Sequence, residues 1–253
     1  MYRGTRLLIL VSVAMVLTLL APRAPEALAH AELFRIGDVR VEGNAYLTRE
    51  EVLDVLRLSP DGSIWDDPKP METRLEGHPL VLSARVYRNF PNGLSVEVVE
   101  RSPVALVSTP VLVPIDREGR FLPIDPAGHR LDLPLVARHR QGAGWDRVDE
   151  IAALTPAELR TLAAEVERLA EIDPDLLASV SDLALDRGGD VLLRLAEPSV
   201  TLRYRPPLAP RRLQEGLRVL GDALEREPDL IPTSVDLRFA DQVVVQFFES
   251  REP

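Results

Sequence analysis

Between Leu80 and Val99 two runs of period two lie on either side of a Phe90-Pro91-Asn92-Gly93 break, with Val81, Ser83, Arg85 and Tyr87 and then Ser95, Glu97 and Val99 in the opposite phase. Leu80, Leu82, Ala84 and Val86 share one phase before it, and Leu94, Val96 and Val98 share one phase after it. A period of two places every second side chain on the same face of an extended strand, so both runs read as strands with one buried face. Asn and Gly both accept positive φ, which makes the break a tight hairpin turn.

Further elements are needed to cover that face, and the residues upstream supply them. Phe34 with Ile36, then Val39 with Val41, read as an early strand, with Gly37-Asp38 shifting the phase as a bulge would. Gly43-Asn44 turns the chain. Thr48 followed by Glu51 is a capping box, with Leu47 and Val52 spaced as a hydrophobic staple, so a helix carrying Val52, Leu53 and Leu56 is expected. Pro60 to Gly62 ends it, and Asp67-Pro68 starts a second helix with Met71 and Leu75. The order strand, helix, helix, strand, strand predicts a three-stranded sheet with two helices on one face.

Beyond Val104 the pattern is again rich in strands. Val111–Ile115 and Arg120–Ile124 flank a turn at Asp116–Gly119, and Leu131–Val136 forms a short strand. Thr155, Pro156 and Glu158 open a helix with Leu159, Leu162, Val166 and Leu169 on one side. Strands follow at Ser181–Leu185, Val191–Ala196 and Val200–Tyr204. A helix with Leu213, Leu217, Leu220 and Leu224 comes next, then strands at Ser234–Phe239 and Gln242–Phe248.

The start of the chain speaks to compartment. Arg3 and Arg6 precede an uncharged apolar run of 15 residues, Leu7 to Ala21. A full helical span takes about 20 residues. Two readings stand: a retained signal anchor, or a signal peptide cleaved near Ala27-Leu28-Ala29. In both, the basic end stays inside and Glu26 onward is exported. The expected organisation is a cytoplasmic tail (1–6), a transmembrane signal anchor or signal peptide (7–21), an Ala/Pro spacer (22–33), a first domain (34–102) and a second, mixed α/β domain (103–250).

Chemistry is sparse. The net charge of −10 repels phosphate backbones, which argues against nucleic acid. There are no cysteines, so thiolate chemistry, disulfides and Cys-based zinc sites are excluded. His30, His78, His129 and His139 are scattered without metal-ligand spacing. The acidic pairs Glu50-Glu51 and Asp66-Asp67 fall at helix starts, where capping accounts for them. Asp116, Asp125 and Asp132 fall at turns. No catalytic residue, metal or cofactor is expected. The last strand, Gln242–Phe248, is β-rich and ends in two aromatics, which suits pairing with another chain.

Several of these segments resemble the FtsQ/DivIB cell-division family. They are Phe34-x-Ile36-x-x-Val39-x-Val41-x-Gly43-Asn44, His78-Pro79-Leu80-Val81-x-x-Ala84-x-Val86-x-Arg88, Phe90-Pro91-Asn92-Gly93-Leu94 and Val96-x-Val98-x-Glu100-Arg101-x-Pro103-Val104-Ala105. Ile115-Asp116-x-Glu118-Gly119-x-Phe121, Leu133-Pro134-Leu135 and Ser234-Val235-Asp236-Leu237-Arg238-Phe239 extend the likeness in the same order. The chain departs from the family pattern in its short apolar run, in Arg203-Tyr204-Arg205-Pro206 before the last helix, and in an insert from Ala137 to Val148.

The resemblance implies an α+β protein with an N-terminal transmembrane helix, a POTRA module and a sheet-rich β-domain. It implies a non-enzymatic, single-pass scaffold of the inner membrane at the division septum. It also implies that FtsB- and FtsL-like proteins pair with the last strand, with Arg238, Phe239 and Phe247 on the binding edge, and that the POTRA module serves localisation. Arg88 and the Phe34–Val41 edge are candidate contacts there. Two rival readings are a POTRA-bearing component of outer-membrane assembly or secretion, which would carry a long β-barrel, and an exported cell-wall hydrolase, which would need an activated nucleophile or a metal.

Overall fold

The computed structural model describes residues 32–108, 110–138 and 154–248. The apolar run at 7–21, most of the spacer, His30, His139 and most of the insert lie outside the described residues. Among the described residues, no helix is long and apolar enough to cross a membrane. The chain divides into two compact units, with the boundary after Arg101.

In the first unit, β1 (Asp38–Glu42) is followed by α1 (Arg49–Leu56), α2 (Lys69–Glu76), β2 (Val81–Asn89) and β3 (Gly93–Glu100). The sheet order is β1-β3-β2, with β1 parallel and β2 antiparallel to the central β3. Thr48 caps α1 as expected: its hydroxyl accepts the Glu51 N–H at 3.2 Å, and the Glu51 carboxylate accepts the Thr48 N–H at 2.8 Å. Val52 and Leu56 of α1 and Met71 and Leu75 of α2 are buried, as are Ala84, Val86, Leu94, Val96 and Val98 of the hairpin.

Three local expectations are corrected. The first strand begins at Asp38, because Phe34 and Ile36 bond to the 62–64 loop instead (Ile36 N–H to Gly62 O and Ile64 N–H to Phe34 O, both 2.9 Å). Leu82 is exposed and Val81 buried, since a bulge between Val81 and Ser83 shifts the phase by one. The hairpin loop has three residues, Phe90 to Asn92, with Asn89 paired to Gly93, and neither Asn92 nor Gly93 has positive φ. Gly43 does need its freedom: at φ +84° a Cβ would lie 2.2 Å from the Val98 carbonyl oxygen.

The second unit contains β4 (Ala105–Ser108), β5 (Leu112–Ile115), β6 (Leu135–Arg138), α3 (Pro156–Ile172), α4 (Pro174–Ala178), β7 (Val180–Leu185), β8 (Val191–Leu195), β9 (Thr201–Tyr204), α5 (Pro210–Arg226), β10 (Ile231–Asp236) and β11 (Val244–Phe248). They form one eight-stranded mixed sheet in the order β11-β10-β9-β8-β7-β6-β4-β5. Its core joins Leu162 and Leu169 of α3 and Leu213 and Leu220 of α5 to Leu183, Leu193, Leu202 and Val235 of the sheet. The 120–124 segment is not a strand. Asp116 is buried, and its carboxylate accepts the N–H groups of Glu118 (3.0 Å) and Arg120 (2.9 Å), winding the chain into a turn. Only the Ile115–Phe121 bridge survives, and Pro123 has no N–H to continue a ladder. Pro134 delays β6 to Leu135 in the same way. The penultimate strand also sits earlier than expected, from Ile231, and it ends where the Asp236 carboxylate takes the Arg238 N–H at 3.0 Å.

Candidate interaction edge

β11 is the last strand of the larger sheet and pairs with β10 alone among the described residues. The register sets Ile231 opposite Phe248, Pro232 opposite Phe247, Ser234 opposite Gln246, Val235 opposite Val245 and Asp236 opposite Val244. One flank of β11 is thereby satisfied, and among the described residues no strand pairs with the other, which leaves its backbone N–H and C=O groups facing outward.

The other strand edges are treated differently. On β1, Arg49 donates to the Val39 carbonyl at 2.9 Å; on β2, the Glu72 carboxylate accepts the Val86 N–H at 3.1 Å. At the far end of the larger sheet, the Leu122 N–H donates to the Pro114 carbonyl of β5 at 2.8 Å. Side chains or a returning loop blunt those edges, as folded proteins do to limit unwanted pairing.

Alternation divides the side chains of β11 between two faces. Val245 packs against the core, with Phe247 in the same phase and half-buried. Val244, Gln246 and Phe248 lie on the opposite face. Phe248 is 60% exposed and its cross-strand partner Ile231 is 67% exposed, so the pair makes an apolar step at the end of the edge. Sequence reasoning named Phe247 and passed over these two. Alternation within the Phe247-Phe248 pair was the available signal, since only one of two adjacent residues can face the core.

Arg238 and Phe239 sit in the connection between β10 and β11. Phe239 is exposed, with the Arg238 guanidinium 5.8 Å from its ring centroid. Arg238 is not free to act as a simple contact. Its Nε and Nη2 donate to the Asp236 carboxylate at 2.9 and 2.6 Å, and its Nη1 donates to Asp190 at 2.9 Å. These bonds hold the Asp236 carboxyl below its ordinary range and raise the Arg238 guanidinium further. Arg203 also donates to Asp190, at 3.0 Å. From α5, Arg212 donates to the carbonyls of Leu237 (3.3 Å) and Gln242 (3.0 Å). The connection is therefore clamped from both sides, and Arg238 positions the edge by holding it.

Elsewhere, the chemistry-bearing residues serve structure. Asp67 accepts the Lys69 N–H and Asp66 the Ser63 N–H, each at 3.0 Å. Glu100 accepts three successive N–H groups, from Ala45, Tyr46 and Leu47, at 2.9, 2.7 and 2.9 Å. Arg88 donates to the carbonyls of Ile64 (2.7 Å) and Asp66 (3.2 Å). Among the described residues, no group of three or more His, Asp or Glu side chains is arranged to hold a metal ion.

Residues 34–101 match the family described as POTRA domain, FtsQ-type. The chain is 31% identical over 157 residues to the cell division protein FtsQ of Anaeromyxobacter sp. (strain K), covering 62% of this chain and 52% of that protein. It is 31% identical over 173 residues to the FtsQ of Myxococcus fulvus (strain ATCC BAA-855 / HW-1), covering 67% and 58%. It is 26% identical over 144 residues to the cell division protein DivIB of Staphylococcus aureus (strain NCTC 8325 / PS 47), covering 53% and 31%. The chain thus spans about half the length of the first two relatives and less of the third.

Proposed function

This chain is a relative of the FtsQ and DivIB cell division proteins, and we propose that it is a scaffold of septum formation rather than an enzyme. Its described bulk lies outside the cytoplasm, tethered to the inner membrane by the apolar segment at 7–21, with the N-terminus inside. The open strand β11 is the docking rail, and its occupants are small single-pass division proteins of the FtsB and FtsL kind. Backbone hydrogen bonds along β11 supply affinity, and the side chains on its two faces supply selection. Phe247 and Phe239 remain in the site, joined by Phe248 and Ile231, and Arg238 holds the connection in place.

The observation that carries this reading is the contrast between edges: β1, β2 and β5 are blunted, whereas among the described residues the outer flank of β11 has no such cover. Aromatic side chains at the centre of an interface also contribute most to binding. The test is co-purification of the full chain with an FtsB-like partner. Phe248→Glu places a charge on the exposed face without touching the core, so capture should fall by about tenfold or more, the equivalent of ~1.4 kcal/mol, with unchanged far-UV dichroism. Capture equal to that of the native chain contradicts the assignment.

A further inference from the structure

We propose that the first unit seats an aromatic patch, Phe34, Trp65 and Phe90, in the headgroup layer of the membrane to which the chain is tethered. The inference rests on the tether in the proposed function and adds a second contact to it.

The patch is built from three separate segments. Trp65 meets Phe34 edge-to-face at 5.8 Å between centroids and Phe90 at 5.4 Å, and the Arg88 guanidinium lies 5.9 Å from the Trp65 ring. Trp65 is 44% exposed, Phe90 61%, and Leu33, next to Phe34, 63%. These rings are not loosely hung. The Ile64 N–H donates to the Phe34 carbonyl at 2.9 Å, and Arg88 bonds the carbonyls on both sides of Trp65. The fold thus fixes exposed aromatic surface on a backbone it takes trouble to hold.

The position of the patch in the chain points to its occupant. Phe34 follows the last residue of the apolar run, Ala21, by 13 positions. At ~3.5 Å per residue an extended chain reaches about 45 Å, so the patch cannot travel far from a bilayer that holds 7–21. Tryptophan and other aromatic rings favour the membrane–water boundary, where an apolar ring meets polar headgroups. Asp61, Asp66 and Asp67 lie close to the patch in sequence and offset Arg35 and Arg88. Shallow insertion of rings, rather than attraction to anionic lipid, is therefore the binding mode.

The test uses the full chain reconstituted in phosphatidylcholine vesicles. Trp145→Phe leaves Trp65 as the sole tryptophan reporter. Lipid brominated near the headgroup should quench Trp65 emission and shift the remainder to the blue. Phe90→Ser should reduce that quenching, and adding phosphatidylglycerol should leave it nearly unchanged. If the chain fails to float with the vesicles, the tether itself is wrong and the inference falls with it. If the chain floats but Trp65 is not quenched, the patch does not meet lipid and the inference alone is overturned. Quenching that appears only with anionic lipid overturns the insertion mode. Burial of Trp65 only on adding a division protein assigns the patch to a protein partner instead.

Discussion

Arg238, just past the end of β10, donates through Nη1 to Asp190 in the turn between β7 and β8, at 2.9 Å and 48 residues away in sequence. The bond reaches across β9, whose Arg203 shares the same carboxylate. The orientation of the last hairpin is therefore set by the middle of the sheet as well as by its own turn. A flexible hairpin would pay ordering entropy on each docking event, whereas a held one has less to lose.

Asp190 is nearly inaccessible, and its removal takes the shared acceptor from Arg203 and Arg238, which keep Asp186 and Asp236 respectively. Those arginines are partly exposed and can return to water, so the penalty falls below that of a fully buried pair. Asp190→Ala should cost about 2 kcal/mol. The expected result is a lowered thermal midpoint, with faster amide exchange in β10 and β11 than in β7. An unchanged midpoint would mean that the cluster does not hold the hairpin.

Asp236 offers a pH test of the same clamp. Hydrogen bonds from Arg238 lower its folded-state pKa beneath the ordinary value of 3.8. A lowered carboxyl pKa adds stability that is fully present above the unfolded value and lost as pH falls through the folded one. Asp236→Asn should therefore unfold at lower urea than the native chain at pH 7, and the gap should close as pH falls below 3.8. A gap that persists in acid would assign the effect to shape rather than charge.

In the first unit, Glu100 is the corresponding staple. One carboxylate serves three N–H groups in the loop that leads into α1. Glu100→Ala leaves those donors to compete for water at a partly buried site. About 2 kcal/mol of stability should be lost, read as an earlier chemical-denaturation midpoint with no change in the second unit. Glu100→Gln should recover part of the loss, because its single carbonyl oxygen can serve some of the donors.

The sequence was most informative where a local pattern decides structure alone. Thr48 with Glu51 and Thr155 with Glu158 start helices at the expected residues, because a capping box is closed within four residues. The order of elements along the first unit was legible from its alternation and caps, whereas the β1-β3-β2 sheet order with its parallel pair was not. Boundaries failed where a distant or local partner competes for the backbone: Gly62 and Ile64 draw Phe34 and Ile36 away from β1, and Asp116 winds 116–120 into a turn. The bulge that exposes Leu82 could not be placed from the sequence, because Leu80, Val81 and Leu82 are all apolar and fit either phase. At the edge, the aromatic pair was visible, but Phe248 is the more exposed ring. Arg238 was legible as an exposed-edge arginine, and its local partner Asp236 lies two residues away, but its second carboxylate, Asp190, lies far away in the chain and left no sign there.

The central claim is that β11 takes a strand from a partner, and backbone hydrogen exchange reports on that strand directly. In the full chain alone, the amides of 244–248 should include a subset that exchanges quickly, because one flank of the strand faces outward. Adding an FtsB-like partner should protect that subset, while amides of β1 and β2 stay as they were. Protection that appears elsewhere in the chain, with 244–248 unchanged, would contradict the account.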